Sequence, residues 1–197
     1  MRGHEEIAKL LIVKRADVNA QGGEYGNALQ AASARGNELI TKLLLENGAD
    51  VHAQGGYFGN ALQAASYQGD EAIAELLIVM GAHINAQGGE YGNALQAASS
   101  EGNEPIAKLL LEKGADVHAQ GGHHGNALQA ASYEAHEPIT KLLIEKGADV
   151  NSQGGYYGNA LQAASYQGHE AILKMLIDMG ADVNAQGGHY GNALQAA

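Results

Sequence analysis

The chain has 197 residues, of which 45% are hydrophobic and 17% charged, with no Cys, no Trp and one Phe. Its 22 acidic and 11 basic residues give a formal net charge of −11, which repels the phosphates of nucleic acids and of anionic membrane surfaces. The composition therefore excludes a disulfide scaffold and disfavours both nucleic-acid and membrane partners.

The first residues do not have the pattern of a secretion signal. Arg2, Glu5 and Lys9 interrupt the apolar stretch that a signal peptide needs. The longest apolar runs, such as 10–13, are also far shorter than the roughly 20 residues of a membrane helix. We therefore expect a cytoplasmic protein without a membrane-spanning segment.

One motif repeats along the chain at a constant interval. The string G-N-A-L-Q-A-A starts every 33 residues, and a fixed period of this length indicates a solenoid of stacked units. The first residues of the motif are Gly26, Gly59, Gly92, Gly125, Gly158 and Gly191. The sequence predicts one all-α repeat solenoid over 1–197, with a partial first unit 1–25, full units 26–190 and a partial last unit 191–197.

Each unit is predicted to contain two short helices and a Gly-rich hairpin. Asn27 precedes an Ala-rich first helix over 28–32 and can cap it, because an Asn side chain accepts from an unpaired N–H of the first turn. A second helix is predicted from Asn37 to about Asn47. Its apolar residues at helical spacing, which we expect to form the buried stripe, are Leu39, Ile40, Leu43 and Leu44.

A full unit also matches the pattern of a known family. The string N-A-L-Q-A-A-S-Y-Q-G-H-E-A-I-L-K-M-L-I-D-M-G-A-D-V-N-A runs over 159–185 without insertion or deletion. It resembles the ankyrin repeat, and within that family it looks most like the G-N-A-L-Q-A-A-S arrays of fungal NACHT-type receptor proteins. The resemblance implies a non-catalytic scaffold for protein–protein interaction, whose partner docks on the hairpin tips and first-helix ends.

The chain departs from the family pattern at a few positions. The tip reads G-G-x-[YFH]-G in place of the usual turn, so the tip conformation stays open at this point. Arg15 and Ala135 stand where other units have the glycines that end helices, and each is expected to cost about 1 kcal/mol if the site is left-handed.

The positions that vary between these near-identical units are the candidate docking residues. They follow the Gly-Gly pair or end the first helices, and several are Tyr, which offers contact area with little rotamer entropy to lose. The candidates are Glu24, Tyr57, Glu90, His123, Tyr156, His189, Arg35, Tyr67, Gln68, Glu101, Tyr133, Glu134, Tyr166 and Gln167. We expect Tyr67, Tyr133 and Tyr166 to be solvent-exposed, although Tyr could also simply tolerate a half-exposed ridge.

Other recurring residues are predicted to have structural roles. The aromatic series Tyr25, Phe58, Tyr91, Tyr157 and Tyr190 should stack between units, and the Asn27 and Gln30 series should form hydrogen-bond ladders. The densest histidines, His118, His123 and His124, lack the spacing of zinc ligands. No nucleophile and base pair with an orienting group is apparent, so we expect neither an enzyme nor a cofactor.

The two ends of the chain are complementary half-units. The chain opens with a second helix and closes with a first helix, which raises head-to-tail self-assembly into filaments or rings as the alternative function. The residues expected to mediate it are Ile7, Leu10, Leu11, Leu194 and Ala197.

Overall fold

The structure is a computed structural model that describes residues 2–197; Met1, which the predicted first unit includes, lies outside this range. Over the described residues the chain forms twelve α-helices, numbered α1 to α12. The first helices of the units are α2 (Ala28–Ala34), α4 (Ala61–Gln68), α6 (Ala94–Ser100), α8 (Ala127–Tyr133), α10 (Ala160–Gln167) and α12 (Ala193–Ala196). The second helices are α1 (Arg2–Val13), α3 (Glu38–Glu46), α5 (Glu71–Val79), α7 (Glu104–Glu112), α9 (Glu137–Glu145) and α11 (Glu170–Asp178). The predicted all-α repeat fold is confirmed.

Side-chain caps mark where the first helices and the second helices α3 and α5 begin. The Asn27 Oδ1 atom accepts from the backbone N–H of Gln30 at 2.9 Å, and Asn37 Oδ1 accepts from the N–H of Ile40 at 3.3 Å. Arg15 and Ala135 have φ angles of +66° and +62°. Both residues therefore occupy the left-handed conformation that glycine adopts in the other units, which is the condition under which the sequence analysis expected each to cost stability.

The core lies between the two helices of each unit and those of its neighbours. In the second helices, Ile73 and Leu77 are fully buried. The predicted stripe of α3 is wrong for Leu39, which is 61% exposed, whereas Leu45 is buried. The side of α3 that carries Leu44 and Leu45 faces α2. In a helix as short as α3, the contact with the first helix decides which residues are covered.

Buried glutamines connect each unit to the next. The Nε2 atom of Gln30 donates to the carbonyl oxygens of Gly55 and Gly59 at 2.9 and 3.0 Å, and Gln96 donates to Gly121 and Gly125 at 2.8 and 3.0 Å. The side-chain amide of one first helix thus satisfies the hairpin backbone of the following unit. This confirms the predicted glutamine ladder.

The hairpin tips are hydrogen-bonded directly to each other along one edge. The N–H of Tyr57 donates to the carbonyl of Glu24 at 2.8 Å, and that of Glu90 donates to the carbonyl of Tyr57 at 2.9 Å. Neighbouring first helices also pack more closely against each other than neighbouring second helices do, so the units approach most closely on the side of the tips and first helices. The stack therefore curves with the tips inside and the second helices on the convex side.

The Gly-Gly pair makes this close approach possible. Gly56 has a φ angle of +65°, and a Cβ atom added to it would lie 2.3 Å from the carbonyl carbon of Tyr25. Neither the backbone angle nor the space would accept a side chain at that position. The tip sequence that departs from the family pattern is thus the one that lets successive tips touch.

Candidate protein-docking surface

A row of stacked aromatic rings follows the hairpin tips. We call it the aromatic row; its members are Tyr25, Phe58, Tyr91, His124, Tyr157 and Tyr190. The ring centroids of Tyr25 and Phe58 are 6.2 Å apart and those of Phe58 and Tyr91 6.3 Å apart, with nearly parallel planes. His124, Tyr157 and Tyr190 form a second stacked stretch of the row, with separations of 6.3 and 6.5 Å. The predicted stacking between units is confirmed within each of these two stretches.

Tyrosines at the ends of the first helices pack against this row. The Tyr67 ring lies 5.1 Å from that of Phe58 and 4.9 Å from that of Tyr91. Tyr133 contacts His124 and Tyr157 in the same way, at 5.1 and 4.6 Å. The expected exposure is therefore wrong for Tyr67 and Tyr133, which are half-buried, because each ring sits between two rings of the row.

Tyr166 also contacts the aromatic row but keeps a larger free surface. Its ring lies 4.8 Å from that of Tyr190, and the residue is 41% exposed. The prediction of an exposed tyrosine holds here.

A second line of side chains lies outside the aromatic row. Tyr57 and Tyr156 are 44% and 41% exposed, and the Tyr156 ring is stacked between those of His123 and His189 at 5.4 and 4.8 Å. The other predicted docking residues at the tips and first-helix ends are also exposed; they are Glu24, Arg35, Gln68, Glu90, Glu101, Glu134 and Gln167. We call these residues, together with the aromatic row and the first-helix tyrosines, the tip face.

Burial changes the acid–base behaviour of rings in the row, and Tyr91 and His124 show this most strongly. Burial, together with hydrogen bonds to Tyr57 and Tyr67, raises the pKa of Tyr91 far above its ordinary value. Burial and the neighbouring His123 lower the pKa of His124 to about 4, and its Nδ1 atom has no hydrogen-bond partner. Both rings are therefore neutral near pH 7, and the row presents uncharged aromatic surface.

The repeat geometry has a counterpart among known proteins. The family model for ankyrin repeats (3 copies) matches residues 1–88, 29–121 and 95–187. The chain belongs to the ankyrin repeat family. Among solved structures it is similar to the human ASB11 ankyrin repeat domain, with a TM-score of 0.82 and 26% identity over 100% of this chain and 88% of that chain. No curated protein sequence matches it.

Membership of the ankyrin repeat family bears directly on the tip face. Ankyrin repeats generally mediate protein–protein interaction and are a typical non-enzymatic scaffold. Sequence reasoning singled out the variable positions of this face but missed the backbone contacts between its tips. The available signal was the Gly-Gly pair that precedes each variable tip residue.

The residues predicted for self-association lie at the two ends of this ankyrin array and are not brought together within one chain. Ile7, Leu10 and Leu11 on α1 are 53–58% exposed. Leu194 on α12 is 87% exposed, and Ala197 is exposed as well. Beside α1 lies an apolar cleft of about 440 Å³, lined in part by Leu11 and Leu44.

The part of the ankyrin array that the structure describes has neither a metal-binding cluster nor a membrane-spanning helix. Within residues 2–197, no group of three or more His, Cys, Asp or Glu side chains is placed to hold a metal ion. In the same described part of the chain, no helix has the length and apolar character needed to cross a membrane. His123 and His124 instead contact aromatic rings of the tip face.

Proposed function

We propose that the chain is a non-catalytic interaction scaffold whose partner protein docks on the tip face. The observation that carries this proposal is the distribution of aromatic residues: all nine Tyr and the single Phe stand at hairpin tips or first-helix ends. A rigid aromatic surface of this kind binds at low cost in conformational entropy. The proposal includes the cytoplasmic location and the role of a recognition array like those of fungal NACHT-type receptors.

Selection of peptides from a displayed random library on the immobilised protein tests this proposal. Peptides enriched on the wild type should bind poorly to the triple variant Tyr57→Ala, Tyr156→Ala and Tyr166→Ala. These rings are exposed, so circular dichroism should show an unchanged fold.

The matched control truncates three exposed apolar residues away from the tip face. Leu39, Val79 and Met179 are 61%, 82% and 55% exposed and belong to second helices or their C-terminal caps. The triple alanine variant at these positions should keep the binding of the wild type. Peptides that bind both variants equally well would contradict docking on the tip face.

Head-to-tail self-assembly is the second candidate function. It is favoured by the apolar cleft beside α1, which has the place that a first helix takes in the other units, and by the exposure of Leu194 on α12. Light scattering at increasing protein concentration should then show growth that Leu194→Asp abolishes. A constant monomer mass in the wild type would remove this candidate.

A further inference from the structure

Positive charge is nearly excluded from the tip face. Between residues 16 and 197, Arg35 is the one Lys or Arg on a hairpin or first-helix end. The other basic residues of this range belong to second helices or their C-terminal caps; they are Lys42, Lys108, Lys113, Lys141, Lys146 and Lys174. The tip face carries Glu24, Glu90, Glu101 and Glu134. It is thus an acidic as well as an aromatic surface.

The one arginine of this face shows how a cation fits the aromatic row. The Cζ atom of Arg35 lies over the Tyr25 ring, 5.6 Å from its centroid, which is within the range of an attractive cation–π contact. Two periods of 33 residues later, the equivalent positions are Glu101 and Tyr91. The position that holds the Arg35 guanidinium beside Tyr25 is therefore occupied by the Glu101 carboxylate in the unit of Tyr91.

Among the described residues, the carboxylate at this place forms no salt bridge with a Lys or Arg. Glu101 and Glu134 are the C-terminal caps of the neighbouring first helices α6 and α8. Partial burial and the nearby charge of Glu134 raise the pKa of Glu101 above its ordinary value, while His136 and Tyr67 oppose this shift. Two like charges held side by side favour a cation from outside.

We propose that the tip face binds an extended, arginine-bearing segment of its partner protein, with one guanidinium on the Tyr91 ring and paired with Glu101. This inference rests on the proposed function, because it gives the chemistry of the partner for the same surface. Arginine fits better than lysine, since a planar guanidinium can stack on a ring and bond a carboxylate through two N–H groups. Glu90 and Glu134 extend the acidic surface to further basic residues of the segment.

Fluorescence anisotropy with a labelled peptide of alternating Arg and Gly tests the inference. The double variant Glu101→Gln and Glu134→Gln should bind this peptide at least about tenfold more weakly than the wild type, the effect of one lost charge-assisted hydrogen bond. The matched control is Glu112→Gln with Glu145→Gln, which removes the same charge from the exposed ends of α7 and α9. This control should leave the affinity unchanged within about twofold, because these exposed charges lie on second helices, outside the tip face, and salt screens them.

Several results would overturn the inference. If both double variants weaken peptide binding equally, the peptide is held by general charge attraction and has no specific site on the tip face. If the same peptide with Lys in place of Arg binds with equal affinity, the proposed stacking of a guanidinium on Tyr91 is wrong. If the library yields neutral or acidic peptides that still depend on Tyr57, Tyr156 and Tyr166, the inference fails while the proposed function stands. If no selected peptide depends on those tyrosines, the proposed function itself fails.

Discussion

The glutamine ladder gives a direct way to weaken one junction of the stack. Gln96 is 2% exposed, and its Nε2 atom donates to the carbonyls of Gly121 and Gly125 in the next hairpin. The substitution Gln96→Leu keeps much of the volume but removes both hydrogen bonds. The Gly125 carbonyl retains the N–H of Gly121 as a donor at 2.8 Å, whereas the Gly121 carbonyl loses its glutamine partner.

The expected cost follows from these contacts. The substitution removes two hydrogen bonds and leaves the part-buried Gly121 carbonyl without its glutamine donor. The free energy of unfolding should therefore fall by about 2–4 kcal/mol. Urea unfolding monitored by circular dichroism measures the change. Because each unit of a repeat protein is stabilised by its neighbours, weakening a central junction should also broaden the transition.

The last unit provides the control for this prediction. Gln195 occupies the equivalent position in α12 and is exposed, and the described chain contains no hairpin after it. Gln195→Leu should therefore change stability by less than about 0.5 kcal/mol, as surface substitutions usually do. An equal loss of stability in both variants would refute the role assigned to the cross-unit bonds.

Three further predictions concern single positions. Gly56→Ala should lower the thermal stability of the protein clearly more than Gly48→Ala does. A Cβ atom at Gly56 would meet the backbone of Tyr25, whereas one at Gly48, at φ +84°, would have no atom within 4 Å. Similar losses of stability in the two variants would argue against direct contact between the tips. Ala135→Gly should raise stability by up to about 1 kcal/mol, since Ala135 has a φ angle of +62°, and a loss would contradict this. The pKa of His124 is lowered from 6.5 to about 4, so the unfolded state takes up the proton first and stability should fall as the pH drops from 6.5 towards 4. His124→Tyr should make that fall shallower in urea unfolding at pH 7 and pH 5, and an unchanged slope would refute it.

Much of the fold follows from local signals in the sequence. The period of 33 residues, the Asn caps and the glycines that end helices act within one unit. Even the strained sites at Arg15 and Ala135 could be predicted, because each replaces a glycine whose backbone angle is set by the turn itself. The glutamine ladder was predictable for a related reason: a polar side chain that recurs on an Ala-rich helix needs a partner in the neighbouring unit.

The distances between units were decided by the tertiary structure. The backbone bond from Tyr57 to Glu24 depends on the curvature of the whole stack, and no local pattern gives that curvature. The same curvature brings Tyr67 between two rings of the aromatic row and so buries half of a residue that was expected to be exposed. Leu39 was misplaced for a similar reason, because apolar spacing gives the period of a helix while its contacts with neighbours determine the side that is covered.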